Sequence, residues 1–169
     1  QTDPNFEIII VNPASPGTDD FIAQKWAVID SRINYVYWPT REWYGESWLR
    51  AWRNAKGEFV MNSNSDDFHE PGTTGLVYSH MKLATGLIGA WTSNTSSPKK
   101  IGFGYGGITI TNEHGQLLGR SLKPVFDFEL MSRECWAGPQ VVWRNDNEFK
   151  ASLDWNLMEQ RAASYRSAF

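Results

Sequence analysis

The chain has 169 residues with 16 basic and 19 acidic side chains, which leaves a net charge of −3. A length of this order suits one domain, and the acidic excess argues against a nucleic-acid-binding protein held by phosphate contacts. Apolar residues make up 41% of the chain, as in ordinary globular proteins, and no apolar run is long enough to cross a bilayer. The single Cys135 cannot form an internal disulfide, which fits a reducing compartment.

The first half of the chain predicts strands and helices in alternation. Its predicted elements are a strand over Phe6–Val11, a helix from Asp19 to Asp30 capped by Thr18, a strand over Ile33–Trp38, a helix over Glu46–Ala55 and a strand over Glu58–Asn62. This order is typical of a parallel sheet, in which ligands bind beyond the carboxyl ends of the strands. The polar clusters 12–17 and 64–67 both follow such strands, which makes them candidate binding segments.

The second half predicts shorter strands and a hairpin. Its predicted elements are strands over Leu87–Thr92 and Gly102–Thr111, a hairpin turn over Thr111–Gln116, a short helix over Phe126–Ser132, a strand over Val141–Trp143 and a closing helix from Ser152 to about Arg166. Glycine and other turn-forming residues separate these strands. We therefore expect a hairpin whose turn leads into Leu117 and Leu118.

The Asn64–Asp67 cluster is a candidate metal site. Carboxylates this close repel each other unless a cation or hydrogen-bond donors neutralise them, and oxygen ligands of this kind suit Mg²⁺ or Mn²⁺. The alternative is a capped turn, because Asp and Asn are also common where a strand leads into a helix. Spacing alone favours the capped turn.

Six segments form an ordered set of motifs that covers nearly the whole chain. They are Phe6–Thr18, Tyr44–Phe59, Asn62–Asp67, Phe103–Leu118, Glu134–Arg144 and Ala151–Leu157. In this order they resemble the motifs of family 2 glycosyltransferases. The third segment is similar to a variant of the metal-binding DxD motif of that family, and the last is similar to the start of its acceptor-side helix.

The resemblance implies the GT-A fold, an α/β fold with a Rossmann-like, mixed and mostly parallel sheet and an acceptor-side β-hairpin. It implies a single domain over residues 1–169, with a nucleotide-sugar and metal half at 1–70 and an acceptor half at 71–169. Gln1 and Thr2 match the end of the family's first helix. The domain is therefore expected to be incomplete, lacking the family's first strand and helix.

The resemblance also implies an activity, which is transfer of a sugar from a nucleotide-diphosphate donor to a hydroxyl group with inversion, assisted by Mn²⁺ or Mg²⁺. The residues it implies are Asp154 as the catalytic base; Asp66, Asn64 and Asp67 at the metal; Asn12, Ser15 and Arg41 at the nucleotide; and Glu134, Trp136, Gly138 and Trp155 at the acceptor or sugar. Asn12-Pro13 departs from the pair of aspartates usual in the family, and Asn64 replaces the first acid of the DxD motif.

Alternative interpretations remain for several of these residues. Asp154 also fits the first turn of a helix, where a carboxylate interacts favourably with the helix dipole. Glu134 is a competing candidate for the base. Trp136 and Trp155 fit a protein core as well as a sugar-stacking platform.

The expected partners are a UDP-, GDP- or dTDP-sugar, a glycan or lipid-linked acceptor, and a second copy of the chain covering the incomplete edge of the sheet. The expected location is cytoplasmic, with peripheral contact at the inner membrane face. Two rival functions are a non-catalytic module that binds carbohydrate or a protein partner, and a metal phosphohydrolase. The second is disfavoured because no further cluster of carboxylates or histidines suits a two-metal site.

Overall fold

The computed structural model describes residues 1–17, 19–64, 67–73, 75, 76, 78, 79, 81, 103–124, 127, 129, 133, 141–152 and 154–164. The chain divides into two compact units. Unit 1 comprises Gln1–Val60 and Asn145–Phe169, and unit 2 comprises Met61–Arg144. Unit 1 is therefore assembled from the two ends of the chain.

Two parallel strands begin unit 1. Strand β1 (Ile8–Pro13) pairs with β2 (Ile33–Trp38) in register from Ile8 opposite Ile33 to Pro13 opposite Trp38. The observed β1 starts two residues later than the predicted strand, because pairing begins where Ile8 N donates to Arg32 O at 2.8 Å. Pro13 lacks an N–H group and is tolerated where a strand ends.

Two helices of unit 1 pack against these strands. Helix α1 (Asp19–Ile29) packs on β2, and helix α2 (Tyr44–Asn54) packs on β1. Helix α2 begins before the predicted Glu46, because the Glu46 carboxylate accepts the backbone N–H of Trp43 at 2.9 Å and so belongs to the first turn. Leu49, only 8% exposed, marks the inward face of α2.

The C-terminal segment of unit 1 forms two helices where one was predicted. Helix α3 spans Asn147–Ser152 and helix α4 spans Trp155–Ser164, so a single helix from Ser152 was wrong. The side chain of Asp154 accepts the backbone N–H of Leu157 at 2.9 Å, which makes Asp154 the N-cap of α4. This capping contact marks the start of a new helix, so the segment forms α3 and α4 instead of one helix.

Strand β3 (Phe59–Met61) crosses the boundary between the two units. In unit 2, β4 (Phe103–Gly104) pairs antiparallel with β7 (Val142–Arg144), and β5 (Ile108–Thr111) forms a hairpin with β6 (Leu117–Ser121). The predicted strand Gly102–Thr111 is thus interrupted at residues 105–107. At Gly107 the backbone passes close to Ser121, because a Cβ atom there would lie 2.9 Å from the Ser121 carbonyl oxygen.

The described strands form small sheets of an α/β protein, and the expected mostly parallel sheet is not confirmed by them. The predicted strand Leu87–Thr92, the cap Thr18 and most of the predicted helix Phe126–Ser132 lie outside the described residues. Among the described residues of unit 2, the buried apolar side chains are Met81, Val141 and Val142. Within the described part of the chain, no helix has the length and apolar character needed to span a membrane.

Candidate functional site

The loop that follows β1 has an unusual backbone. Ala14 adopts a φ of 51° and Gly17 a φ of 138°, both in the left-handed range. Glycine enters this range readily, but an alanine there is strained by about 1–2 kcal/mol. Pro13 and Pro16 restrict the backbone on either side of Ala14. The loop is therefore held in one shape by its own sequence.

Asn12 fixes this loop from both ends of its side chain. Its Oδ1 accepts the backbone N–H of Ser15 at 2.8 Å, and its Nδ2 donates to the hydroxyl of Tyr35 at 3.1 Å. The first contact closes the turn, as Asx side chains commonly do. The second ties the turn to β2, so Asn12 acts as a brace between the loop and the sheet.

Arg41 lies against the same loop. Its guanidinium donates to the Ser15 hydroxyl at 2.9 Å and is exposed to solvent. The structure thus brings together the predicted nucleotide residues Asn12, Ser15 and Arg41 around one strained turn. A guanidinium and a hydroxyl beside a polar loop form a donor set that suits phosphate oxygens.

The predicted metal residues belong to unit 2, and the structure describes two of them. Asn64 Nδ2 donates to Asp67 Oδ2 at 2.9 Å, and the Asp67 N–H approaches the Asn64 carbonyl at 3.4 Å. Asp66, the principal predicted ligand, lies outside the described residues. The described part of the chain contains no group of three or more His, Cys, Asp or Glu that could hold a metal ion. The amide nitrogen of Asn64 faces the Asp67 carboxylate, so these contacts are those of the capped-turn interpretation. The Asp67 carboxylate supplies oxygen atoms of the kind that Mg²⁺ and Mn²⁺ prefer.

Asp154, the predicted base, is an exposed N-cap. The helix-cap interpretation therefore describes what its side chain does in the structure. An exposed carboxylate can also accept a proton, since capping uses one carboxylate oxygen only. The two roles are compatible.

Trp155 packs between helices. Its ring meets Trp52 edge-on, with the ring centroids 5.5 Å apart, and its Nε1 donates to the Lys150 carbonyl at 2.9 Å. The Arg53 guanidinium lies 5.2 Å from the Trp155 ring centroid. These contacts anchor the start of α4 beside α2, so the ring is engaged within the protein. The other predicted acceptor residues, Glu134, Trp136 and Gly138, lie outside the described residues.

Two groups of side chains were not anticipated from the sequence. Tyr35 has no local signal, because its contact with Asn12 spans 23 residues. A groove of about 460 Å³ beside α2 and α4 is also unpredicted, and it is lined by Glu42, Glu46, Leu49, Arg50, Arg53, Asn54, Glu159 and Gln160. Four of its charged side chains form two ion pairs, Arg50 with Glu42 and Arg53 with Glu159. In the sequence, Glu46, Leu49 and Arg53 are spaced as i, i+3 and i+7, and this spacing places them on one face of a helix.

In nucleotide-binding α/β proteins, the ligand binds at a loop that follows a strand of a parallel sheet. Here such a loop is polar and has the Arg41 guanidinium beside it. The chain belongs to glycosyl transferase family 2, whose family model matches residues 1–132. Membership implies the GT-A fold. The match includes the Asn12 loop and the Asn64–Asp67 segment and ends before Asp154. No curated protein matches the chain.

Proposed function

We propose that this chain is a glycosyltransferase that moves a sugar from a nucleotide-diphosphate donor to a hydroxyl acceptor with inversion. The observation that carries the proposal is the contact of Arg41 with Ser15 beside the loop braced by Asn12, in a member of family 2. An exposed guanidinium beside a pre-shaped loop provides charge and direction for a diphosphate. The donor is a UDP-, GDP- or dTDP-sugar, and the acceptor is a glycan or a lipid-linked molecule.

In this proposal, Asn12 positions the loop and Arg41 contacts the donor. Both ends of the Asn12 side chain are used to hold the turn and Tyr35. Ser15 orients the Arg41 guanidinium through its hydroxyl. Asn12 and Ser15 thus shape the site, and Arg41 binds the negative charge of the donor.

The transfer step needs a base, and we assign it to Asp154. The acceptor oxygen attacks the anomeric carbon while the bond from that carbon to the donor phosphate oxygen breaks. The acceptor proton passes to the Asp154 carboxylate, and the electron pair leaves with the nucleoside diphosphate. The acceptor oxygen attacks from the side opposite the leaving group, which inverts the anomeric carbon, so the base that takes its proton must lie on that side. The exposure of Asp154 and its fixed place at the start of α4 support this role.

We assign a Mn²⁺ or Mg²⁺ site to Asp66 with Asp67 and Asn64. The family match supports it because it includes this segment, and the bond from Asn64 Nδ2 keeps the Asp67 carboxylate within the same turn. A bound divalent cation would neutralise the charge that gathers on the leaving diphosphate.

Calorimetry of the full chain with UDP, GDP and dTDP, each with Mn²⁺ and then with a chelator, tests the proposal. One nucleotide is expected to bind, and Arg41→Gln is expected to weaken it at least about tenfold, because a charge-assisted contact is lost. Arg120→Gln, at an exposed arginine of β6, is the matched control and should leave binding unchanged. Asp66→Ala should remove the Mn²⁺ dependence. Absence of binding by all three nucleotides would refute the proposal.

A second candidate function is a non-catalytic module on the same scaffold that binds carbohydrate or a protein partner. The use of the Asn12 side chain as a brace favours it, because an amide committed to the loop offers less to a donor than a free carboxylate would. Incubation with the sugar nucleotide that binds, together with glycan acceptors, separates the two functions. Binding without release of nucleoside diphosphate would favour the module.

A further inference from the structure

The hairpin β5–β6 of unit 2 exposes an apolar surface. Leu117, Leu118 and Leu122 are 60%, 67% and 87% exposed, although they lie within six consecutive residues. Isolated exposed leucines are common on soluble proteins, but three so close together make a patch that needs an explanation. We call Leu117, Leu118, Arg120 and Leu122 the leucine face.

Strand register assigns these residues to one side of the hairpin. Thr109 lies opposite Arg120, and Thr111 lies opposite Leu117, with a register shift between Ile110 and Thr111. Thr109 and Thr111 share a face because side chains alternate along a strand, so Leu117 shares the face of Arg120. Leu118 stands two residues before Arg120 in β6 and follows the same alternation, and Leu122 is the first residue after the strand. The register shift thus adds a leucine to this face.

The base of the hairpin allows Leu122 to remain on this surface. A Cβ atom at Gly107 would lie 3.4 Å from Leu122 Cδ2 and 2.9 Å from the Ser121 carbonyl oxygen. The absence of a side chain at Gly107 therefore leaves room for the end of β6. Leu122 lies beside Gly107 and still presents 87% of its surface to solvent.

The charge of the hairpin differs from that of the chain. The whole protein carries a net charge of −3, yet residues 103–124 contain Arg120 and Lys123 against a single acid, Glu113. Glu113 lies in the turn beside His114, whose Nε2 is 3.6 Å from its carboxylate. No acid occurs from His114 to Lys123, so both charged side chains that alternate with the leucines in this stretch of sequence, Arg120 and Lys123, are basic.

We infer that the leucine face is a docking surface for an anionic lipid membrane. Exposed leucines interleaved with Arg and Lys fit the boundary between head groups and acyl chains, where the apolar groups insert and the cations meet lipid phosphate. Protein-binding surfaces are instead rich in tyrosine and tryptophan, and leucine is under-represented among their strongest contacts. The inference does not depend on the proposed sugar transfer, because it uses none of the residues assigned to the donor, the metal or the base.

Flotation of the full chain with lipid vesicles tests this inference. The vesicles are phosphatidylcholine alone or phosphatidylcholine with phosphatidylglycerol. The wild-type chain is expected to float with the anionic vesicles, to float less at high salt, and to stay behind with the neutral ones. Failure of the wild-type chain to float with anionic vesicles would overturn the inference.

Variants of the hairpin locate the contact. Leu118→Ser with Leu122→Ser, and separately Arg120→Gln with Lys123→Gln, should each weaken flotation at least about tenfold, since insertion and charge contribute together. Val28→Ser is the matched control, because Val28 of α1 is 88% exposed but lies in unit 1. It should float like the wild type. Circular dichroism checks that each variant is folded.

Two other results would also count against the inference. Equal flotation by the hairpin variants and the wild type would assign membrane binding to another surface. A hairpin variant that floats normally but changes the mass of the protein in light scattering would identify the leucine face as a contact between copies of the chain.

Discussion

The indole Nε1 of Trp52 donates a 2.9 Å hydrogen bond to Oδ1 of Asn145, which lies 93 residues further along the chain. The amide of Asn145 also donates to the carbonyl oxygens of Ala55 at 3.0 Å and Gly57 at 2.7 Å. Asn145 is only 8% exposed. Because three polar groups rely on one buried amide, this residue holds the end of α2 in place.

Asn145→Ala is expected to lower the free energy of unfolding of unit 1 by about 2–4 kcal/mol, since buried polar groups lose their partner. Urea denaturation followed by tryptophan fluorescence measures the loss. The matched control is Asn54→Ala, because Asn54 is exposed and its amide makes a single bond to the Arg50 carbonyl. Its cost should stay below about 1 kcal/mol. Equal costs for the two variants would contradict the assignment.

Asp154 allows its capping and chemical roles to be separated. Asp154→Asn keeps an oxygen that can accept the Leu157 N–H, so stability should change by less than about 0.5 kcal/mol. Asp154→Ala removes the cap and should cost about 1 kcal/mol. If Asp154 is the base, both variants lose sugar transfer while nucleotide binding persists. Transfer retained by Asp154→Asn would eliminate it as the base.

The Asp30 side chain makes the free energy of unfolding of unit 1 depend on pH in the acid range. The hydrogen bonds from the Arg32 side chain lower the pKa of Asp30 from its usual 3.8 to about 2. Because the folded pKa lies below the unfolded one, the unfolded chain binds more protons between these values. This contribution to stability is therefore complete above about pH 4 and is lost as the pH falls through about 2. It is small because the pair is partly exposed.

A carboxyl-detected NMR titration of Asp30 measures this pKa directly. Arg32→Gln should bring the pKa of Asp30 back toward its usual value of 3.8, because the charged donor is gone. Arg53→Gln is the control, since Arg53 pairs with Glu159 and should leave the Asp30 titration unchanged. An Asp30 pKa that does not respond to Arg32→Gln would show that Arg32 is not the cause.

The backbone strain at Ala14 is measurable by urea denaturation followed by tryptophan fluorescence. Ala14→Gly is expected to raise the free energy of unfolding by up to about 1 kcal/mol, because relief of the left-handed φ outweighs the added entropy of the unfolded chain. Ala51→Gly, in the middle of α2, is the control and should lower stability by about 1 kcal/mol. A loss of stability at both positions would argue against strain at Ala14.

Ala14→Gly also bears on nucleotide binding. A glycine lets the unbound loop sample more conformations, so binding that depends on a preformed loop should weaken even as the protein becomes more stable. Calorimetry with the nucleotide that binds the wild type measures this effect. Stronger binding by the variant would show that the loop must rearrange to receive the donor.

Local patterns predicted the first half of the fold well. The β-branched run of β1 and the spacing of apolar residues in α1 and α2 depend on neighbours in sequence, and their positions agree with the structure to within about two residues. The break between α3 and α4 was missed, although Asp154 already carried the cap signal. The apolar pattern of this segment continues on both sides of Asp154 and so suggested one helix. The hydrogen bond from the Leu157 N–H to the Asp154 side chain instead starts a second helix.

The candidate site was only partly predictable. Asn12, Ser15 and Arg41 were grouped through the resemblance to family 2, and the structure brings them into contact. Tyr35 and Asn145 were missed because their partners lie 23 and 93 residues away. No periodicity encodes contacts of that range. The acceptor residues Glu134, Trp136 and Gly138 stay predictions.

The turn at Lys56–Gly57 has a consequence for how the protein is made. The Glu7 carboxylate accepts the backbone N–H of Lys56 at 2.6 Å and of Gly57 at 3.1 Å, while Asn145 holds the Gly57 carbonyl. During synthesis, Glu7 can meet this turn as soon as residue 57 leaves the ribosome. Asn145 emerges only after a further 88 residues. Unit 1 therefore stays incomplete until the whole of unit 2 has been translated, because Asn145–Phe169 belong to it. In that interval its incomplete core is accessible to chaperones.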